Sequence, residues 1–220
     1  MRRPPFFLSL THSIAATFAV LCLVSSAIAA NETIIHDFIP APHGAGPSNQ
    51  LIADSAGNLY GVTNMGGMFG SGVAFELTLN AGGVWSQKVL HDFSGEEFGT
   101  SSDGGWPTGR LVFDSAGNLY GVTKYGGAYD CGTVYKLSPL PGGRWVETIL
   151  YSFNPYANDA VTPGSGVVID SAGNLYGTTE WGGAYTWGAV FEVSPSPNGS
   201  WTEQVLFSFR RRRQWRLPAL

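Results

Sequence analysis

Residues 111–123 read LVFDSAGNLYGVT, and the stretch returns as LIADSAGNLYGVT at 51–63 and VVIDSAGNLYGTT at 167–179. Each copy brings a short apolar run to an Asp, reverses at Ser-Ala-Gly-Asn and leaves through Leu-Tyr-Gly. Turn formers between two runs of strand formers specify a β-hairpin. Three such hairpins at wide, regular spacing specify a repeat architecture. Aligned on them, Asp54, Asp114 and Asp170 lie 60 and then 56 residues apart, as do Trp85, Trp145 and Trp201.

Working outward from the middle hairpin, residues 110–113, 119–123, 133–138 and 145–153 read as four strands divided by Gly- and Pro-rich turns. Alternate positions of the third strand fall on one face, apolar but for Thr133: Val73, Phe75, Leu77; Thr133, Tyr135, Leu137; Ala189, Phe191, Val193. The opposite face of that strand is half apolar, as expected of a sheet covered on both sides. The fold class is therefore all-β: a partial β-propeller of three four-stranded antiparallel blades over 51–94, 109–153 and 166–209. A β-solenoid is the competing repeat, but its rungs are only ~20–30 residues. Residues 33–40 match the end of a fourth strand (His36-Asp37-Phe38 against His91-Asp92-Phe93) with no preceding strands, so they read as an orphan outer strand.

Both ends fall outside the repeat. Arg2 and Arg3, the apolar run 14–24 and Ala27-Ile28-Ala29 specify a signal peptide over 1–29, and hence a secreted or surface location. Its removal leaves Cys131 as the single cysteine, a free structural thiol. Residues 210–220 begin with four arginines where the repeat requires a Gly/Asp-rich linker. A one-base frameshift accounts for that break, because CGN codons read one base later become GNC codons for Gly, Asp, Ala or Val. The competing readings are a genuine basic tail and a truncated, non-functional product.

Charge narrows the partners. Residues 31–209 hold five basic against sixteen acidic residues, a net charge near −11, which excludes nucleic acid as a partner. Asp54, Gly57, Asn58 and their counterparts Asp114, Gly117, Asn118 and Asp170, Gly173, Asn174 read as structural turns, with Asp bonding its own backbone and Gly left-handed. One carboxylate per turn is too few for a calcium loop. Met65 and Phe69, Tyr125 and Tyr129, and Trp181 and Tyr185 flank the Gly pair after the second strand of each unit. On a radial repeat they form an arc suited to sugar rings or an apolar protein surface. No triad order, His/Cys cluster or phosphate loop appears, so no catalytic residue, metal or cofactor is expected.

These motifs carry a resemblance. D-S-A-G-N-L-Y-G-[VT]-T, then G-G-x-[FY]-x-x-G, [VA]-[FY]-[EK]-[LV] and W-x-x-x-[VI]-L-x-x-F, resemble the gloeo/verruco tandem repeat of secreted bacterial proteins, also described as choice-of-anchor repeat proteins. More distantly, the D-x-x-G-N-L-Y turn is similar to NHL and gluconolactonase-type propellers. The resemblance implies an extracellular propeller-like array with a binding or structural role toward carbohydrate or protein; the alternative is a hydrolase or lactonase acting on sugars. Sequencing the coding DNA checks the frameshift: the shifted frame past Phe209 is expected to encode a further D-x-x-G-N-L-Y hairpin, and its absence rejects that reading.

Overall fold

The computed structural model describes residues 32–95 and 103–211. The expected signal peptide and most of the basic tail lie outside the described residues.

After one helical turn, α1 (Pro40–His43), three antiparallel sheets follow one another along the chain. Sheet 1 is β1 (Ala45–Ala53), β2 (Leu59–Met65), β3 (Val73–Leu79) and β4 (Trp85–Asp92), in that spatial order. Sheet 2 repeats it with β5 (Gly104–Phe113), β6 (Leu119–Gly126), β7 (Thr133–Pro139) and β8 (Trp145–Ser152). Sheet 3 splits its first strand into β9 (Ala160–Pro163) and β10 (Val168–Ile169), both paired to β11 (Leu175–Gly182), then β12 (Ala189–Pro195) and β13 (Trp201–Ser208).

The first strands begin well before the hairpin pattern, inside stretches such as Gly104-Gly105-Trp106-Pro107 that read as linker. These strands lie at a sheet edge, so Pro47, Pro107 and Pro163 interrupt no ladder that needs their missing N–H. Each carries a bulge at the same place, between Ser48 and Ile52 and between Thr108 and Val112, and the 164–167 gap continues it in sheet 3. Neighbouring first strands approach backbone to backbone there. A Cβ on Gly109 would stand 1.8 Å from the Gly166 nitrogen, so only glycine fits.

Two backbone hydrogen bonds repeat between sheets: Trp106 N–H to Ser71 C=O and Thr162 N–H to Cys131 C=O, both 2.9 Å. Their donors have φ of 55° and 53°, and Gly46 holds the same position in sheet 1 at 63°. A positive φ is strained for Trp and more so for β-branched Thr, so the inter-sheet bond holds the backbone in a conformation these residues avoid.

The cores lie between sheets. One joins Ile52, Tyr60, Val62, Leu90 and Phe93 of sheet 1 to Leu111, Leu119, Tyr135 and Leu137 of sheet 2. The next joins Tyr120, Val122, Leu150 and Phe153 of sheet 2 to Leu175, Phe191 and Val193 of sheet 3. At the centre of each, a Phe just past the fourth strand meets an aromatic ring of the next sheet edge-on: Phe93 on Tyr135 and Phe153 on Phe191, both at 5.0 Å.

Residues 33–39 form no ladder, in contrast to the orphan strand read from the pattern. The described residues contain no sheet for them to pair with. They nevertheless supply the same ring, since Phe38 meets Phe75 edge-on at 4.9 Å and covers the first face of sheet 1. The last face of sheet 3 is open: Phe209 is 43% exposed where Phe93 and Phe153 are 0%, and Leu206 is 45% exposed where Leu90 is 7%. Thr178 stands exposed at the position of buried Val62 and Val122.

Burial decides the cost of deleting each ring. Phe153→Ala is expected to lose about 3–5 kcal/mol of stability in urea unfolding. Phe209→Ala is expected to lose less than about 1 kcal/mol.

Candidate functional site

Two sets of residues stand out once the sheets are in place: an exposed rim and a partly buried polar cluster at each sheet-to-sheet junction.

The rim is built by a repeated threonine. Thr63, Thr123 and Thr179 are buried, and each hydroxyl donates to the carbonyl two residues on: Met65 at 3.0 Å, Tyr125 at 2.9 Å and Trp181 at 2.8 Å. Each hydroxyl oxygen also accepts an amide from the next strand, at Val73, Thr133 and Ala189. The strand exit is thereby pinned, and the Gly pair after it turns with positive φ in every copy. Of the six residues singled out in sequence, Met65, Phe69, Tyr129, Trp181 and Tyr185 are exposed, whereas Tyr125 is half-buried and edge-on to Trp106. Two further members escaped the sequence reading, Met68 and Trp187. Trp187 lies 5.9 Å from Trp181 with the rings tilted at 43°. Arg210 stacks 3.9 Å above Tyr185, and Arg211 lies 5.3 Å from Trp187.

The Asp-headed turns close on themselves. Asp114 Oδ1 accepts the Ala116 and Asn118 amides, and Oδ2 accepts the Asn118 side chain at 2.7 Å and the Tyr120 hydroxyl at 3.0 Å. Asp54 and Asp170 repeat all four bonds, and Gly57, Gly117 and Gly173 take φ of 82–87°. Burial acts to raise the Asp114 pKa, but the bonds from Asn118, Tyr120 and Ala116 outweigh it and the carboxyl sits below its ordinary range. Every favourable acceptor direction is taken by the turn itself.

The junction cluster has one member from the end of a fourth strand, one from the approach to the next sheet and one from that sheet's fourth strand. At the middle junction these are His91, Asp103 and Glu147. Burial, then the charge of Asp103, pushes Glu147 up to about 9. Asp103 goes the other way, to about 2, because hydrogen bonds and the His91 charge overcome its own burial. Left alone, such a pair holds one proton between two carboxyls. Among the described residues these three are the one His/Asp/Glu group whose ligand atoms all lie within 4.8 Å of one another. The next junction holds Tyr151, Asp159 and Glu203, with the Tyr151 hydroxyl donating to Asp159 Oδ2 at 2.7 Å.

Cys131 is free and half-buried; burial, then the charges of Asp130 and Asp159, pushes its thiol up, which disfavours the reactive thiolate. No helix among the described residues is long and apolar enough to cross a membrane.

Burial, then the charge of Asp159, pushes Glu203 up to about 8. The fold therefore retains a proton that the unfolded chain releases in the ordinary glutamate range, and this contribution is lost as pH rises toward 8. The melting temperature is expected to fall between pH 5 and pH 8, and Glu203→Gln, which faces Asp159 and Tyr151 without titrating, is expected to shallow that fall. An unchanged slope in the variant contradicts the assignment.

A family model, the Gloeobacter/Verrucomicrobia repeat, matches residues 23–218. No curated protein matches the chain.

Proposed function

For a chain that belongs to the Gloeobacter/Verrucomicrobia repeat family, we propose a role as a non-enzymatic β-module that works outside the cell and binds carbohydrate polymer through its rim. One observation carries the reading. The equivalent loop of each sheet carries exposed Met or aromatic side chains, and a buried threonine at the same place fixes the strand exit that leads into it. A soluble chain gains nothing in stability from exposing large apolar side chains, so a rigidly presented row of them suits a partner with flat apolar faces. Sugar rings have such faces, and their hydroxyls suit carboxylates at the same loops, such as Asp92 beside Met68 and Asp130 beside Gly126. Trp181 and Trp187, close together and half exposed, form a pair of neighbouring indoles on the rim. Export rests on the basic, apolar and small-residue segments of the first 29 residues.

Pelleting with insoluble chitin, cellulose and peptidoglycan, together with a soluble glycan panel, tests the proposal. Binding to at least one polymer is expected. Trp181→Ala combined with Trp187→Ala is expected to weaken it about tenfold or more, at roughly 1 kcal/mol per ring, with unchanged circular dichroism. Failure to bind any of them, or equal binding by the double variant, contradicts it.

A further inference from the structure

Three equivalent junction clusters differ in chemistry. In front of sheet 1, His36 Nε2 meets Gln87 Oε1 at 2.9 Å, and Gln87 Nε2 donates to the His43 carbonyl at 2.8 Å. That cluster is closed by ordinary hydrogen bonds. Between sheets 2 and 3, Tyr151 and the Asn154 amide both donate to Asp159 Oδ2, at 2.7 and 2.8 Å. No nitrogen ligand takes part there.

Between sheets 1 and 2 the distances are of another kind. His91 Nε2 lies 3.4 Å from Asp103 Oδ1 and 3.6 Å from Glu147 Oε2. Good hydrogen bonds of this type span ~2.7–3.2 Å, so the contact to Asp103 is a long hydrogen bond and the one to Glu147 is beyond that range. Both separations suit two ligand atoms on one tetrahedral ion: bonds of ~2.0–2.1 Å place ligand atoms roughly 3.3–3.4 Å apart. Asp103 is oriented for the task, because its other oxygen, Oδ2, accepts the Ser94 amide at 2.8 Å and the Ser94 hydroxyl at 2.9 Å. A carboxylate fixed through one oxygen presents the other, the usual support for a metal ligand.

Two buried polar atoms of sheet 2 lack a partner. Tyr135 is completely buried, and its hydroxyl, set against Gly121, has no hydrogen-bond partner. Glu147 Oε1 is likewise buried without a partner. Unpartnered polar atoms in a protein interior are rare and cost about 1–3 kcal/mol, so the buried Glu147 Oε1 beside His91 and Asp103 calls for a further polar group.

We propose that His91, Asp103 and Glu147 bind one divalent transition-metal ion, zinc in the first instance, which clamps sheet 1 to sheet 2, with a water as fourth ligand. One imidazole and two carboxylates form a donor set that zinc accepts in tetrahedral geometry. The ion replaces the proton shared by the two carboxyls and is held by both sheets, so it acts on the junction that the Phe93 ring fills.

The full chain, stripped with EDTA and titrated with zinc chloride by calorimetry and thermal melting, tests this. Expected are one zinc per chain with a dissociation constant of micromolar or below, and a rise in melting temperature on zinc addition. His91→Tyr, which copies the residue of the next junction, is expected to lose the zinc and the rise; His91→Gln serves if that variant does not fold. Glu203→Gln, at the junction without a nitrogen ligand, is expected to keep both. No saturable zinc, one zinc retained without the His91 imidazole, or equal loss in Glu203→Gln overturns the site and leaves a proton-sharing carboxyl pair.

Discussion

The structure depends on one contact made repeatedly: a phenylalanine just beyond the fourth strand of a sheet sets its edge against an aromatic ring at the middle of the next sheet's third strand. Phe93 on Tyr135 and Phe153 on Phe191 are both fully buried. A four-stranded sheet with apolar residues on both faces is unstable in water by itself and gains stability only as its neighbours cover it. Here coverage runs in one direction along the chain. The segment carrying Phe38 covers the first face, each sheet covers the one before it, and the face carrying Phe209 remains exposed to solvent.

With packing supplied by that ring, the polar groups beside it vary without disturbing the frame. The residue two before each Phe changes from His36 to His91 to Tyr151 to Phe207, and each makes the same edge-on contact with its Phe. Its polar partners change in step, from Gln87, to Asp103 and Glu147, to Asp159 and Glu203. The end nearest the loops is used differently. Thr63, Thr123 and Thr179 give one geometry to a rim whose side chains differ from sheet to sheet.

Much of this was legible in the residues. Asp-Ser-Ala-Gly-Asn has a single economical conformation, with Asp closing the turn and Gly left-handed, so the hairpins and the order of strands could be read directly. The early start of β5 could not, because Gly-Gly-Trp-Pro is turn chemistry by itself and becomes strand only where an edge position excuses the proline. The rim was partly legible. Tyr125 reads like its counterparts, yet it folds against Trp106, a contact set by the neighbouring strand and not by the repeat. The junction clusters were hidden for a different reason. Asp103 and Asp159 lie in linker-like sequence, and Glu147 and Glu203 alternate with exposed residues on an outer strand, where a carboxylate is unremarkable. Aligning Gln87, Glu147 and Glu203 across the repeats was the available signal. It acquires meaning only when the preceding sheet brings up His36, His91 or Tyr151.

Native-state hydrogen exchange tests most directly whether the array is held by sheet-on-sheet coverage or by the strand ladders alone. Coverage predicts that the central amides of β6 and β7, with a neighbour on both faces, exchange slowest, and that those of β11 and β12, with one face open, exchange markedly faster. Equal protection in sheets 2 and 3, or slower exchange in sheet 3, contradicts it.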